Sequence, residues 1–526
     1  MKRRQVLQGA AAITATSAVG LARPALAQKN NTLIFAPQTD LANPDPIWTT
    51  ATIATIHGYL VWDTLYGLND KLLPQPQMVG GHEVSSDGLT WKLTLRDGLK
   101  WHDGAPVRSD DCIPSIQRWG KRNTFGQMLM SVTNDITKVD DKSFEFHLKK
   151  RFAQLPYALG ANGCFIMPER MAKTDPFKQI SEYVGSGPFK FIRKDWVSGA
   201  SAAYEKFDGY VPRSEPPSMW SGGKHAYIDR VEWHVLPDPA TKAAALQAGE
   251  IDWWENPIYD VLPTFEKDPN IRIHVINTLG VIGVIGINHT LPPFDNPKLL
   301  RAIWPALNQQ DFIDIVLGDQ KKYGRPCGFF TPGSPYANDA GMEVLNGPRD
   351  VEKAKKLVAE SGYKGETVLL MSPSDQPQLQ AIAQMANALF QSIGIKTDYQ
   401  SMDWGTLVGR RASHKPVADG GWNAFATTWS GLPVSNPGSS FPLRGNGAGG
   451  WFGWPVDEKM EQLRDAWFDA PDLASQQKIC RDIQLRAFEN VPFIPTGHWT
   501  TPTAFRKNIT GMVDAPSAVF WNIKKG

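Results

Sequence analysis

Hydrophobic and polar positions alternate with period two over 89–95, where Leu89, Trp91, Leu93 and Leu95 are apolar and Thr90, Lys92 and Thr94 polar. That is the pattern of a strand with one buried face. Phe144, Phe146 and Leu148 repeat it over 144–148. Between these strands, Arg96-Asp97-Gly98 and Asp103-Gly104 carry turn chemistry, since Asp and Gly tolerate tight backbone geometry. Ser109-Asp110-Asp111 then predicts a capped helix running to about Trp119. Farther on the period lengthens. Val351, Ala354, Leu357 and Val358 place one apolar face on a helix over 351–360, with lysines opposite. Leu379, Ile382, Met385, Ala386 and Leu389 mark a second helix over 378–393, stopped by Gly394, and 395–399 reads as the strand that follows. Residues 350–400 therefore predict an α/β layer. Two extended segments are candidate boundaries: 271–288, rich in Val, Ile and Gly, and 493–505, threaded with Pro and Thr. If both cross, the chain leaves a first lobe, builds a second and returns, and the paired crossovers form a hinge.

A length of 526 residues exceeds what one hydrophobic core serves, which also calls for at least two lobes. The 42% hydrophobic and 21% charged residues are those of a folded chain, and 19 tryptophans are enough to furnish a core and line a cleft. The N-terminus has a separate grammar. Lys2, Arg3 and Arg4 form a positive start, 9–21 is mildly apolar, and Ala25-Leu26-Ala27 offers a small-x-small cleavage site. Residues 1–27 read as a secretory signal, and the paired arginines favour the twin-arginine route. Cleavage would remove Lys2, Arg3, Arg4 and Arg23 and take the net charge from +2 to −2. A near-neutral product argues against nucleic acid or an anionic membrane as partner. No later apolar run is long enough to span a bilayer, and no Cys follows the cleavage site to carry a lipid, so a free periplasmic protein is expected. Cys112, Cys164, Cys327 and Cys480 lack the close spacing of a metal site and leave both disulfides and buried thiols open.

Several segments, in order along nearly the whole chain, carry a resemblance. The run 91–107 joins the strand, the Arg96-Asp97-Gly98 turn and Trp101-His102-Asp103-Gly104-Ala105-Pro106. Val184-Gly185-Ser186-Gly187-Pro188-Phe189, the helix from Arg301 through Asn308-Gln309 to Leu317-Gly318, and 386–395 follow. Together they resemble the peptide-type (family 5) solute-binding proteins of ABC importers, which include oligopeptide-, dipeptide- and nickel-binding members. The resemblance implies an α/β, two-lobed periplasmic binding protein fold hinged on two crossover strands, with lobe I over 28–275, lobe II over 276–492 and a return to lobe I over 493–526. It implies a protein that takes a small solute, peptide-like or other, between its lobes and delivers it to the permease subunits. It implies no catalysis, no cofactor and no membrane insertion, and a monomer. His102 and Asp103 read as turn formers rather than catalytic groups.

The same resemblance points to the site. Trp404 is similar to a ligand-side tryptophan in a strand-loop of lobe II, and Arg411 to an arginine that meets a ligand carboxylate, a task suited to a guanidinium; neighbouring Arg410 is the alternative. Trp429 and Ser430 lie where the family presents a ligand-facing loop. Leu432 stands where peptide binders carry an Asp for the free amine, so either the ligand is uncharged at that end or its cation is met from elsewhere. On lobe I, Trp48, Thr49 and Thr50 follow the Asp45-Pro46 loop. The stretch Gly445-Asn446-Gly447-Ala448-Gly449-Gly450 lacks the strand and helix of a dinucleotide fingerprint and reads as a loop, with Trp451 and Trp454 placed at the rim of the cleft. No Walker loop, GxSxG elbow or HExxH helix occurs, and scattered histidines such as His57, His225, His289, His414 and His498 show no ligand spacing for a metal. The alternatives are a periplasmic hydrolase on a two-lobed scaffold and a ligand-binding sensor or chaperone module.

Overall fold

The computed structural model describes residues 31–526 except 50, 162 and 375; the expected leader over 1–27 lies outside them. Two large sheets organise the chain. In the seven-stranded sheet, Thr32–Ala36 runs parallel to Arg230–His234 on one side and to Trp253–Trp254 on the other. Leu33 and Phe35 are fully buried, and the Phe35 ring meets Trp253 and Phe520 at centroid distances of 4.8 and 5.1 Å. Ile271–His274 forms one edge of this sheet beside Thr503–Arg506, and Phe189–Phe191 the other.

In the six-stranded sheet, Val281–Ile287 lies between Phe493–Trp499 and Ala424–Ser430, antiparallel to both. Its β-branched run is buried almost throughout, as expected of a central strand. Gly283 and Gly286 let their neighbours in: an added Cβ would sit 2.3 Å from Thr496 Oγ1 and 2.6 Å from the Phe425 ring, respectively. Strands Val368–Pro373 and Thr397–Met402 are parallel and joined by helix Pro377–Ser392, a βαβ unit. The expected helix over 351–360 is Val351–Glu360, and Gly394 has φ of 87°, the left-handed geometry that ends the next helix. The chain leaves the seven-stranded sheet after His274, enters the six-stranded sheet at Val281, and passes back between Trp499 and Thr503.

A separate four-stranded antiparallel sheet holds Thr90–Leu95 between Val79–Val84 and Ser143–Leu148. The helix that follows spans Ser109–Arg122, longer than its pattern predicted. Its cap also differs. Ser109 is already helical and spends its hydroxyl on Asp140 O, so Asp111 takes the capping role and accepts Arg108 N–H at 2.8 Å. His102 is a structural strut: Nδ1 accepts from Gly185 N at 3.2 Å, which leaves Nε2–H to donate to Gly187 O at 3.0 Å. Burial lowers its pKa to about 4, so the ring is neutral. Side chains at Gly185 and Gly187 would collide with Val61 O and Leu60 O, which explains why these positions hold glycine. All four cysteines are free and buried, and burial raises the Cys327 thiol to about 12.

Candidate ligand-binding site

The loop after residue 44 is held from beneath. The Asp45 carboxylate accepts the N–H groups of Ile47, Trp48 and Ile180 at 3.1, 3.2 and 3.0 Å and pairs with Arg118 at 2.7 Å, both side chains being 1% exposed. With its base fixed, the loop presents Trp48 and Thr49. Trp48 Nε1 donates to Phe177 O at 3.1 Å, and Arg122 Nη2 donates to Trp48 O at 2.7 Å. Helix Thr52–Val61 then adds Thr52, Thr55 and Tyr59, spaced to share one face.

A second wall comes from the ends of two parallel strands. Thr32–Ala36 and Trp253–Trp254 finish side by side, and Gln38, Glu255 and Asn256 follow them. The open carboxyl ends of parallel strands are where α/β sheets commonly receive ligands. Glu255 Oε2 accepts Gln38 N–H at 2.8 Å, and Asn256 Nδ2 donates to Gln38 Oε1 at 3.3 Å. The third wall is Ser430-Gly431-Leu432-Pro433, delivered by strand Ala424–Ser430. It is pinned to the crossover by Gly431 N donating to Gly280 O at 2.8 Å, an approach so close that a Cβ on Gly431 would lie 2.0 Å from Leu279 O.

These walls enclose a cavity of about 410 Å³, the size range of small-molecule sites. The crossover residues Ile276, Asn277, Gly280, Val281 and Thr501 also line it. Its charged lining residues are Arg122 and Glu255. Glu255 is 5% exposed, and burial raises its pKa to about 7 against the opposing pull of Gln38 N–H and Lys242. Tyr59 and Trp220 stack at 4.7 Å and 19°. Tyr59 Oη, Trp220 Nε1, Arg122 Nε and Ser517 Oγ are buried polar atoms of this lining without a hydrogen-bond partner among the described residues.

Of the residues expected from sequence, Trp48, Thr49, Ser430 and Leu432 line the cavity together. Trp429, Trp404 and Arg411 are not among its lining residues. Side chains alternate along strand Ala424–Ser430, so Trp429 turns to the other face, 5.5 Å from Trp451. Trp404 opens a helix, Trp404–Arg410, where a strand-loop was expected, because Asp403 caps it through Thr406 N–H at 2.9 Å. The Arg411 guanidinium lies 4.5 Å over Phe452, 5.5 Å over Trp404 and 5.8 Å over Phe425; burial lowers its pKa. Arg410 is bound instead to Gln400 and Gly421 O. Thr50 lies outside the described residues. Trp451 and Trp454 form no rim: both are buried, one against Phe425 and Trp429, the other stacked on His414 at 3.5 Å. Glu255, Arg122, Tyr59 and Trp220 were missed. Glu255 had a signal, a carboxylate directly after the aromatic pair Trp253-Trp254; Arg122, beyond the expected helix end at about Trp119, had none. No cluster of three metal-ligating side chains occurs among the described residues, and none of their helices is long and apolar enough to cross a membrane.

A cavity closed between two sheet-centred halves, at the segments where the chain passes from one to the other, defines a protein of the two-lobed periplasmic-binding class. The chain belongs to the bacterial extracellular solute-binding proteins, family 5, whose model matches residues 74–451. It is 36% identical to a probable peptide ABC transporter periplasmic-binding protein of Sinorhizobium fredii, over 100% of this chain and 99% of that one. It is 25% identical to a glutathione-binding protein of Pectobacterium atrosepticum, over 97% of this chain and 96% of the relative. A solved structure of the binding protein AgaA of A. tumefaciens R10 with agropinic acid aligns over 94% of this chain and 99% of its own, with a TM-score of 0.74 at 22% identity, and shares the fold. The protein is thus the solute-binding component of an ABC importer, not an enzyme. It captures a small solute between two lobes and delivers it to the permease subunits, and its location is extracellular or periplasmic.

Proposed function

We propose that the protein is periplasmic, exported by a twin-arginine signal over 1–27, and that its cavity takes a peptide-like solute. Lobe I, over 28–275 with the return segment 493–526, and lobe II, over 276–492, close on that solute as a monomer. The carrying observation is the cavity itself, lined from the lobe I side by Trp48, Thr49 and Tyr59, from the lobe II side by Ser430 and Leu432, and by crossover residues between them. Ligand contacts on both sides favour the closed state, and differential affinity of this kind is all that a clamp needs. The names of the relatives support a peptide-like solute. Thr50 continues the Trp48-Thr49 wall in sequence. Trp429, Trp404 and Arg411 lie outside the lining of this cavity and form an aromatic and cationic backing of lobe II, with the Arg411 guanidinium 4.5 Å over the Phe452 ring.

The test is to equilibrate the purified protein with pooled di- and tripeptides, wash it, denature it and identify what is released by mass spectrometry. Intact peptides are expected, and Leu432→Trp, which fills the cavity, should release far less while melting near the wild-type temperature. Release of no peptide by the wild-type protein refutes the peptide-like reading.

A further inference from the structure

We propose that Glu255 is the anchor for a ligand ammonium, so that the cavity selects solutes carrying a free primary amine and holds that amine from the lobe I side. This rests on the peptide-like reading above and adds where the solute's charge goes.

The lobe II wall, Ser430-Gly431-Leu432-Pro433, contributes no acid to the cavity. Glu255 is the carboxylate among the lining residues, and it is placed firmly: its N–H donates to Ala36 O at 3.0 Å and its Oε2 accepts Gln38 N–H at 2.8 Å. Oε1 receives no hydrogen bond from a described residue, and no Lys, Arg or His nitrogen of a described residue lies within 4.0 Å of the carboxylate. The nearby cation, Lys242 of helix Pro239–Ala248, is engaged elsewhere: its Nζ donates to Pro37 O at 3.2 Å and lies 5.8 Å over the Trp254 ring. A buried carboxylate with one hydrogen bond and no counterion is under-satisfied, and burial accordingly raises its pKa to about 7. An ammonium brings up to three N–H donors and a positive charge to that carboxylate. The other lining charge, Arg122, has the opposite sign; one carboxylate and one guanidinium in a single small cavity suit a zwitterion.

The experiment presents the wild-type protein, Glu255→Gln and Glu255→Asp with a tripeptide pool and with the same pool acetylated at its amino termini, and reads retained peptides by mass spectrometry. Wild type should retain the free-amine pool about tenfold or more over the acetylated pool, the scale of one lost charge-assisted hydrogen bond. Glu255→Gln, whose amide oxygen still accepts Gln38 N–H, should lose that preference while melting no lower than wild type, and Glu255→Asp should keep part of it. Equal retention of both pools by wild type, or a preference that survives Glu255→Gln, overturns the role of Glu255 and leaves peptide binding intact. Retention of neither pool overturns the peptide-like reading and this assignment with it. Should Glu255→Gln fail to fold, the wild-type ratio of the two pools and the Glu255→Asp ratio still decide the matter.

Discussion

A carboxyl group whose pKa burial raises to about 7, from 4.5, weakens the empty protein wherever it ionises. The folded state holds the Glu255 proton more tightly than the unfolded chain does. Its favourable contribution is therefore complete below 4.5 and is lost as pH rises through about 7. By linkage the loss is on the order of 3 kcal/mol for a fully buried group. Glu255→Gln, which does not titrate, should unfold in urea with a free energy higher than wild type by up to about 3 kcal/mol at pH 8, without ligand, and with little difference at pH 4. Buried His57, His102, His289 and His498 have pKa values lowered to about 3 or 4 and titrate in the opposite sense at the acid end, so the difference between variant and wild type isolates Glu255. A difference that stays constant with pH would show that Glu255 is not ionising in the folded protein. This is the expected trade at a binding site, where a group kept for the ligand destabilises the protein alone.

At the scale of elements, the site depends on how the end of Ala424–Ser430 is tied to the start of Val281–Ile287. Gly431 N meets Gly280 O at 2.8 Å, and Gly280 itself has φ of 47°, with Trp499 O 2.1 Å from where its Cβ would be. Neither contact leaves room for a side chain. Gly431→Ala should push 430–433 away from the crossover, destabilise the fold by about 1–3 kcal/mol as overpacking does, and weaken peptide affinity by more than the melting change accounts for. Calorimetric titration beside a thermal melt reads both; unchanged affinity would show that the tie is structural only. Periodicity made several elements legible at this scale. Thr90–Leu95, Val351–Glu360 and Pro377–Ser392 lie where their apolar spacing put them, because each buries one face of its own pattern. The helix Trp404–Arg410 was not legible as such: it is short, and its cap, Asp403, resembles any turn residue until Thr406 N–H is seen to meet it.

At the scale of the molecule, the proposed closing of the two halves over the cavity turns on the two short crossover segments. Saturating peptide should reduce the radius of gyration in solution scattering and raise stability by about 2.7 kcal/mol at a ligand concentration one hundred times Kd. A scattering curve unchanged by saturating ligand would leave binding in place and remove the closing motion. Sequence alone was enough to indicate a mixed α/β chain, the turn chemistry around Asp97-Gly98, and the family, because these are written in local spacing and in motifs read in order. It also brought Trp48, Thr49, Ser430 and Leu432 into view, through their resemblance to loops that face a ligand. Only the tertiary structure placed Tyr59, Arg122, Trp220 and Glu255 around one space. Those four come from distant parts of the chain, and each has an ordinary local reading as core aromatic or surface charge. Their role arises from a pairing that local pattern does not encode: the parallel strands Thr32–Ala36 and Trp253–Trp254, more than two hundred residues apart in sequence, end side by side. The same pleat decided that Ser430 faces the cavity and Trp429 does not, since neighbouring residues on a strand point to opposite faces.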